Sequence, residues 1–331
     1  LGAPGILISL SSQHLATHST APGTARLINP PSGLLGCANA VLTGTSRRYQ
    51  TPDFEGCLSI KAVMEGNAVW QVGGRRFAVD PNCFLILNDR QRYTITIDSA
   101  RPATTFCMFF QRGFVEDIWR TTVLPADTLL DTPQPSISET AGFFERLEPG
   151  ESSVLAEVRR FHRLIGHEDG VVSWHERFNA VAVELVQAQH AVRRAFSKLP
   201  ALRSATKAEL CRRLLRGRDL LLSAWSQPLR LQEIAAQACL SPYHFHRSFT
   251  AFFGQTPHRM LTDYRLARTE KRLREGDRSI IELCLDAGFE SPASFSHLFR
   301  RRYGMSPLAY RQANGCAKNR KIRQAPRRSK A

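Results

Sequence analysis

Residues 241–249 read SPYHFHRSF and residues 291–299 read SPASFSHLF, so one short pattern occurs twice. Each copy opens on Ser-Pro, places two Phe four residues apart, and runs on to Gly254-Gln255-Thr256-Pro257 or Gly304-Met305-Ser306-Pro307. Upstream, Ile234 aligns with Leu283, Ala238 with Ala287 and Leu240 with Phe289 at an offset of 49, whereas Phe245/Phe295, Phe249/Phe299, Gly254/Gly304 and Pro257/Pro307 align at 50. One residue has been inserted between the two halves of the pattern.

Each copy reads as a short helix (Leu231 to Ala238; Ile280 to Ala287), a tight turn and a second helix. Ser241 and Ser291 are N-caps followed by Pro at the first helical position, where a missing N–H costs nothing. Phe245/Phe249 and Phe295/Phe299 form an inward stripe, Gly254 and Gly304 end the helices, and Thr256-Pro257 and Ser306-Pro307 begin the next ones. This is a helix-turn-helix, which lays its second helix in the DNA major groove. The stretch between the copies, residues 257–275, predicts a helix about 28 Å long at about 1.5 Å per residue. That length suits two recognition helices about one DNA turn apart, near 34 Å.

Charge points the same way. Residues 201–331 hold 26 Lys+Arg against 10 Asp+Glu, while residues 1–200 hold 19 of each, so the whole net charge of +16 sits in the last two-fifths of the chain. The tail from Lys318 to Lys330 supplies only part of it, because residues 201–317 still carry 19 basic and 10 acidic residues. A basic module joined to a neutral one is the footprint of polyanion binding.

The predicted domains are a weakly ordered or edge segment (1–35), a β-barrel (36–120), a helical hairpin and linker (121–200), the double helix-turn-helix (201–313) and a basic tail (314–331). Six β-rich runs, CLSIKAVM, AVWQV, RRFAV, CFLIL, RYTITID and TTFCMFF, lie between about Phe54 and Phe110, with breaks that include Gly73-Gly74 and Ser99 to Pro102. Helices are expected at 113–123, 152–166 and 173–196, a loop at Pro125 to Pro135, a turn at Ile165 to Gly170 and a linker at Lys198 to Lys207. The hairpin either dimerises the chain or caps the barrel. No apolar run of about 18 residues and no signal-peptide pattern is present, so a soluble, cytoplasmic protein without membrane association is expected. The eight scattered cysteines show no metal-ligand spacing and read mainly as buried apolar residues.

Residues 220–313 resemble the DNA-binding domain of the AraC/XylS family of bacterial transcription regulators. The segment GFESPASFSHLFRRRYGMSPLAYR (288–311) carries the family's Gly-Phe, Phe-x-x-x-Phe, Gly-x-Ser-Pro and Tyr-Arg positions. The resemblance implies sequence-specific binding to double-stranded promoter DNA, usually with activation, and RNA polymerase as a partner. It places first-unit base contacts on Tyr243, His246 and Arg247, with His244 beside them; Arg247 is suited to guanine because its two parallel donors match O6 and N7. In the second unit the corresponding surface is Pro292, Ala293, Ser294, Ser296 and His297. Here His297 stands where the family has Arg and Ser294 where it has an aromatic, so this unit is expected mainly to anchor, with Arg300, Arg301 and Arg302 on phosphates.

The β-rich region more weakly resembles the family's cupin-like sensor and dimerisation domain, giving an α+β protein with a cupin-like barrel, a helical hairpin and an all-α C-terminal domain. A metal-dependent cupin enzyme is disfavoured, because no His lies between His18 and His162. No catalytic residue, metal or cofactor is assigned. A small effector would occupy the barrel, with Trp70, Phe77, Phe84, Tyr93, Phe106, Phe109 and Phe110 as either pocket lining or core. Lys61, Arg75, Arg76, Arg90 and Arg92 either favour an anionic effector or form a solvated face. The competing functional class is a constitutive DNA-binding protein whose first domain only assembles homodimers.

Overall fold

A computed structural model of the chain describes residues 6–8, 35–123, 147–149, 152–165, 174–197, 204–275 and 278–314. The expected loop at Pro125 to Pro135, the turn after Ile165, most of the 1–35 segment, the linker before Ser204 and the basic tail after Asn314 lie outside these residues. The chain divides into two compact units, Leu1–Leu215 and Arg216–Ala331.

Among the described residues the first unit is built on one nine-stranded, nearly closed, barrel-like sheet. Its strands are β1 (Ile6–Ile8), β2 (Ala40–Gln50), β3 (Phe54–Gly56), β4 (Ser59–Glu65), β5 (Ala68–Val72), β6 (Arg75–Val79), β7 (Cys83–Leu87), β8 (Gln91–Phe109) and β9 (Leu147–Pro149). They run in the order β1-β2-β8-β4-β7-β9, with β3 and β5 also on β8 and β6 on β5. All pairs are antiparallel except β1 with β2. Gly73 and Gly74 both take positive φ, 51° and 77°, as a two-residue hairpin turn requires.

Two expected strands, RYTITID and TTFCMFF, form the single strand β8. The expected break survives as a bulge: Ser46 pairs with Ala103 and Arg48 with Asp98, so residues 99–102 sit opposite Arg47 alone. Extra residues on one strand kink it and increase its twist without ending it. Strand β2 was not expected, because only Ala40, Val41 and Leu42 form an apolar run before Gly44 and the exposed Arg48.

Alternation along β4 separates the two faces of the sheet. Ile60 and Ala62 join Phe84, Ile86, Phe106, Met108 and Phe110 in a core shared with helices α1 (Phe114–Val123), α2 (Ser153–Ile165) and α3 (Trp174–Ser197). Phe161 and Phe178 are the aromatic anchors of that layer, meeting Phe106 and Phe110 edge to face. The apolar stripe of the α2–α3 hairpin therefore covers the barrel. Phe84, Phe106 and Phe110, the last one residue past the end of β8, belong to this helix-covered core, so of their two readings the structure gives core. Trp70, Phe77, Tyr93 and Phe109 stay buried on the other face.

Helix α4 (Ser204–Ser223) begins four residues inside the expected linker. The second unit continues with α5 (Leu231–Gln237), α6 (Pro242–Phe253), α7 (Pro257–Glu275), α8 (Ile280–Asp286), α9 (Pro292–Tyr303) and α10 (Pro307–Asn314). The two helix-turn-helix units are α5–α6 and α8–α9, and α7 spans the residues predicted for it. No described helix is long and apolar enough to cross a membrane.

Candidate nucleic-acid interface

The N-termini of both second helices are fixed by the expected caps. Ser241 Oγ accepts from the His244 N–H at 3.3 Å and Ser291 Oγ from the Ser294 N–H at 3.4 Å. Gly254 and Gly304 close the helices in the left-handed region, with φ of 71° and 78°. The turns match as well, since Cys239 (φ 51°) and Gly288 (φ 74°) occupy aligned positions and both take left-handed backbone. Cys239 is exposed there, unlike the buried cysteines of the barrel.

With the caps set, helical spacing decides which side chains face out. On α6, Phe245, Phe249 and Phe252 are buried, whereas Tyr243, His244, His246 and Arg247 are exposed. Tyr243 is 77% exposed, a large aromatic surface with no role in the core. On α9, Phe295 and Phe299 are buried, Pro292, Ala293, Ser294, His297, Arg300 and Arg301 are exposed, and Ser296 is half-buried. Arg302 is exposed as well, and its Nη1 lies 3.0 Å from Asp263 Oδ1 on α7 while its guanidinium sits over the Tyr303 ring. It joins α9 to the spacer helix.

Two supports beneath these surfaces were not singled out from sequence. Gly217 on α4 lies under the first recognition helix, where a Cβ would come 2.4 Å from the Phe245 ring. A lone Gly inside a helix is itself a signal of close packing. The second is Arg265 on α7, which donates to the Trp225 carbonyl at 2.6 Å, the Gly288 carbonyl at 2.9 Å and the Gln227 carbonyl at 2.8 Å. One guanidinium thus ties the spacer helix to the loop before the first unit and to the turn of the second. Gly288 is required at that turn, because a Cβ would lie 2.7 Å from the Ser226 carbonyl oxygen and 2.8 Å from Arg265 Nη2. Beside it Arg268 is buried, donates to Tyr264 Oη at 2.7 Å and stacks over Trp225 at 4.4 Å; burial, with Arg272 nearby, pushes its guanidinium down to about 9. It remains charged at neutral pH.

The second unit is further secured at both ends. Ser279 Oγ accepts from the Glu282 N–H at 3.1 Å while the Glu282 carboxylate accepts from the Ser279 N–H at 2.8 Å, and these bonds hold Glu282 below the usual carboxylate range. Tyr310 on α10 is held by Arg274 and Glu270 of α7. The scaffold therefore presents two parallel-built outward helices, one rich in long hydrogen-bonding side chains at its N-terminal half and the other in arginines at its C-terminal half.

Comparison with known proteins places both units. A family model described as a helix-turn-helix domain matches residues 234–313, and one described as an AraC-like ligand binding domain matches residues 39–172. The Proteus vulgaris protein named probable transcription factor PqrA is 30% identical over 87 residues, covering 26% of this chain and 71% of that one.

The chain belongs to the AraC/XylS family.

The activator RhaS of Klebsiella pneumoniae (strain 342) is 36% identical over 96 residues, 28% of this chain. The match spans about a third of the length of RhaS (34%) and 29% of that of the regulatory protein PocR of Salmonella typhimurium. Among solved structures, the DNA-binding domain of AdpA in complex with a target DNA is 29% identical over 34% of this chain and 97% of that one, with a TM-score of 0.30. ToxT from Vibrio cholerae O395 is 11% identical over 83% of this chain and 98% of that one, with a TM-score of 0.31.

Proposed function

We propose that this AraC/XylS protein is a cytoplasmic transcription activator that reads promoter DNA chiefly through α6 and anchors itself through α9. The observation that carries this is the contrast between two like-built helices. The exposed face of α6 offers Tyr243, His246 and Arg247 at successive turns, whereas that of α9 offers Ala293 and His297 beside the half-buried Ser296 and then Arg300 and Arg301. Short side chains reach few base edges, and arginines at the far end of a helix suit phosphates. In this reading the barrel binds a small effector, the N-terminal unit joins two copies, and RNA polymerase is the further partner. The match of residues 39–172 to a ligand-binding family supports the sensing role.

Arg247→Ala is expected to weaken binding to a selected site by about 1–3 kcal/mol, relax preference at one base pair and leave the salt dependence unchanged. Titration of a panel of single-base variants at two salt concentrations measures this. A uniform loss on all sequences, with a shallower salt slope, would instead make Arg247 a phosphate contact.

A further inference from the structure

On the inner face of the barrel, Lys61 is 1% exposed, overturning the solvated-face reading, whereas Arg76, Arg90 and Arg92 are exposed and Arg75 is half-buried. Its Nζ donates to Tyr93 Oη at 2.6 Å and lies 3.8 Å from the centre of the Phe109 ring and 4.4 Å from that of Tyr93. An ammonium has three donors, and a single phenol uses one of them. Tyr93 is itself seated on Gly56, where a Cβ would stand 2.8 Å from the ring, and Phe54 packs on the ring at 4.5 Å.

Among the described residues, no electrostatic neighbour neutralises this charge. The titratable groups acting on Lys61 are Cys57 and Cys107, and burial raises both thiols, as it raises the Tyr93 phenol, so all three are neutral at pH 7. Burial pushes the Lys61 amine down to about 8, which leaves most of it protonated at pH 7. Two residues along the same face, the Ser59 hydroxyl is fully buried and has no hydrogen-bond partner among the described residues. Ser59 pairs across β4–β8 with Phe109, the residue whose ring lies under the Lys61 amine. A buried cation with spare donors and a buried hydroxyl without a partner are both costly unless something polar meets them. Around them the inner face is aromatic and aliphatic, with Trp70, Phe77, Leu85 and Leu87 all buried.

We propose that Lys61 is the recognition point for a small monocarboxylate with an apolar body, bound inside the barrel with its carboxylate between the Lys61 ammonium and the Ser59 hydroxyl. One cation in an apolar enclosure selects one negative charge, and the surrounding rings select an aliphatic or aromatic body. This rests on the reading of the barrel as an effector site and names the effector's class.

The test uses the full chain, with octanoate and phenylacetate as probes and octanamide and phenylacetamide as uncharged controls, measured by calorimetry and by thermal shift. The expected result is at least tenfold tighter binding of each acid than of its amide at pH 7, weakening as pH rises through about 8 as the amine loses its proton. In Lys61→Met, whose own melting temperature reports that it folds, the preference for acids disappears; in Tyr93→Phe it persists, because the amine carries recognition. Acids that bind Lys61→Met as well as the native chain, or that fail to bind the native chain, overturn the proposal. If amides bind as tightly as acids and Lys61→Met does not matter, the barrel remains an effector site and the anion is wrong. If acids bind through Lys61 without changing DNA affinity, the anion site stands and sensing falls.

Discussion

Arg265→Ala is expected to destabilise the C-terminal unit by about 2–4 kcal/mol, among the larger effects of any single side chain there. Its guanidinium bonds three main-chain carbonyls, those of Trp225, Gln227 and Gly288, which belong to two segments that no strand or continuous helix joins. Removing it leaves acceptors at a packed junction without donors, and each bond to a charged donor is worth more than a neutral one. Lysine recovers less than half of the loss, because one ammonium cannot span three carbonyls in a fixed fork. Hydrogen exchange of residues 216–314 measures this directly, since loss of the clasp lowers protection in the α8 turn and in the loop before α5 together. Gly288→Val is expected to act on the same junction by strain, placing a branched side chain at φ 74° against the Ser226 carbonyl. If Arg265→Ala leaves exchange at both segments unchanged, the clasp does not join them.

Phe245→Ala is the second large effect, expected at about 3–5 kcal/mol for a fully buried ring. The ring lies against the bare Cα of Gly217 and beside Phe249, at 5.2 Å between centroids, so it seats the first recognition helix on α4. Gly217→Ala is expected to destabilise by about 1–3 kcal/mol despite the better helix propensity of Ala, because the new methyl overlaps that ring. The two sites are coupled: Gly217→Ala combined with Phe245→Leu should cost less than the sum of the separate changes. Denaturant unfolding of the four species forms the cycle. Strict additivity would mean that Gly217 is not there to admit Phe245.

Much of the second unit was readable because its signals are local. Ser-Pro caps, left-handed glycines and a Phe four residues from the next Phe each act within one turn of helix, and the caps of α6 and α9 stand where those residues put them. The barrel was read less well for reasons of range. Strand β2 is stabilised by pairing with β8 about 60 residues away, and its own apolar run is three residues long. Phe84 and Phe106 look the same in sequence as Phe109; only strand parity and the position of the covering helices tell inward from outward. Lys61 was the least readable, since a lysine in an alternating strand reads as solvated until the fold turns it inside. Arg265 and Arg302 were hidden in the basic composition, where charge alone does not distinguish a guanidinium aimed at DNA from one holding carbonyls or Asp263.

The central claim, that two helix-turn-helix units lie along one face of DNA with α6 doing most of the reading, is tested most directly by selecting bound sequences from random duplex DNA at physiological salt. The predicted result is a strongly specified element under the first unit and a weakly specified one about 10 base pairs away under the second, with the stronger element losing one base preference in Arg247→Ala. Two equally specified elements, or enrichment of no sequence above background, would contradict it.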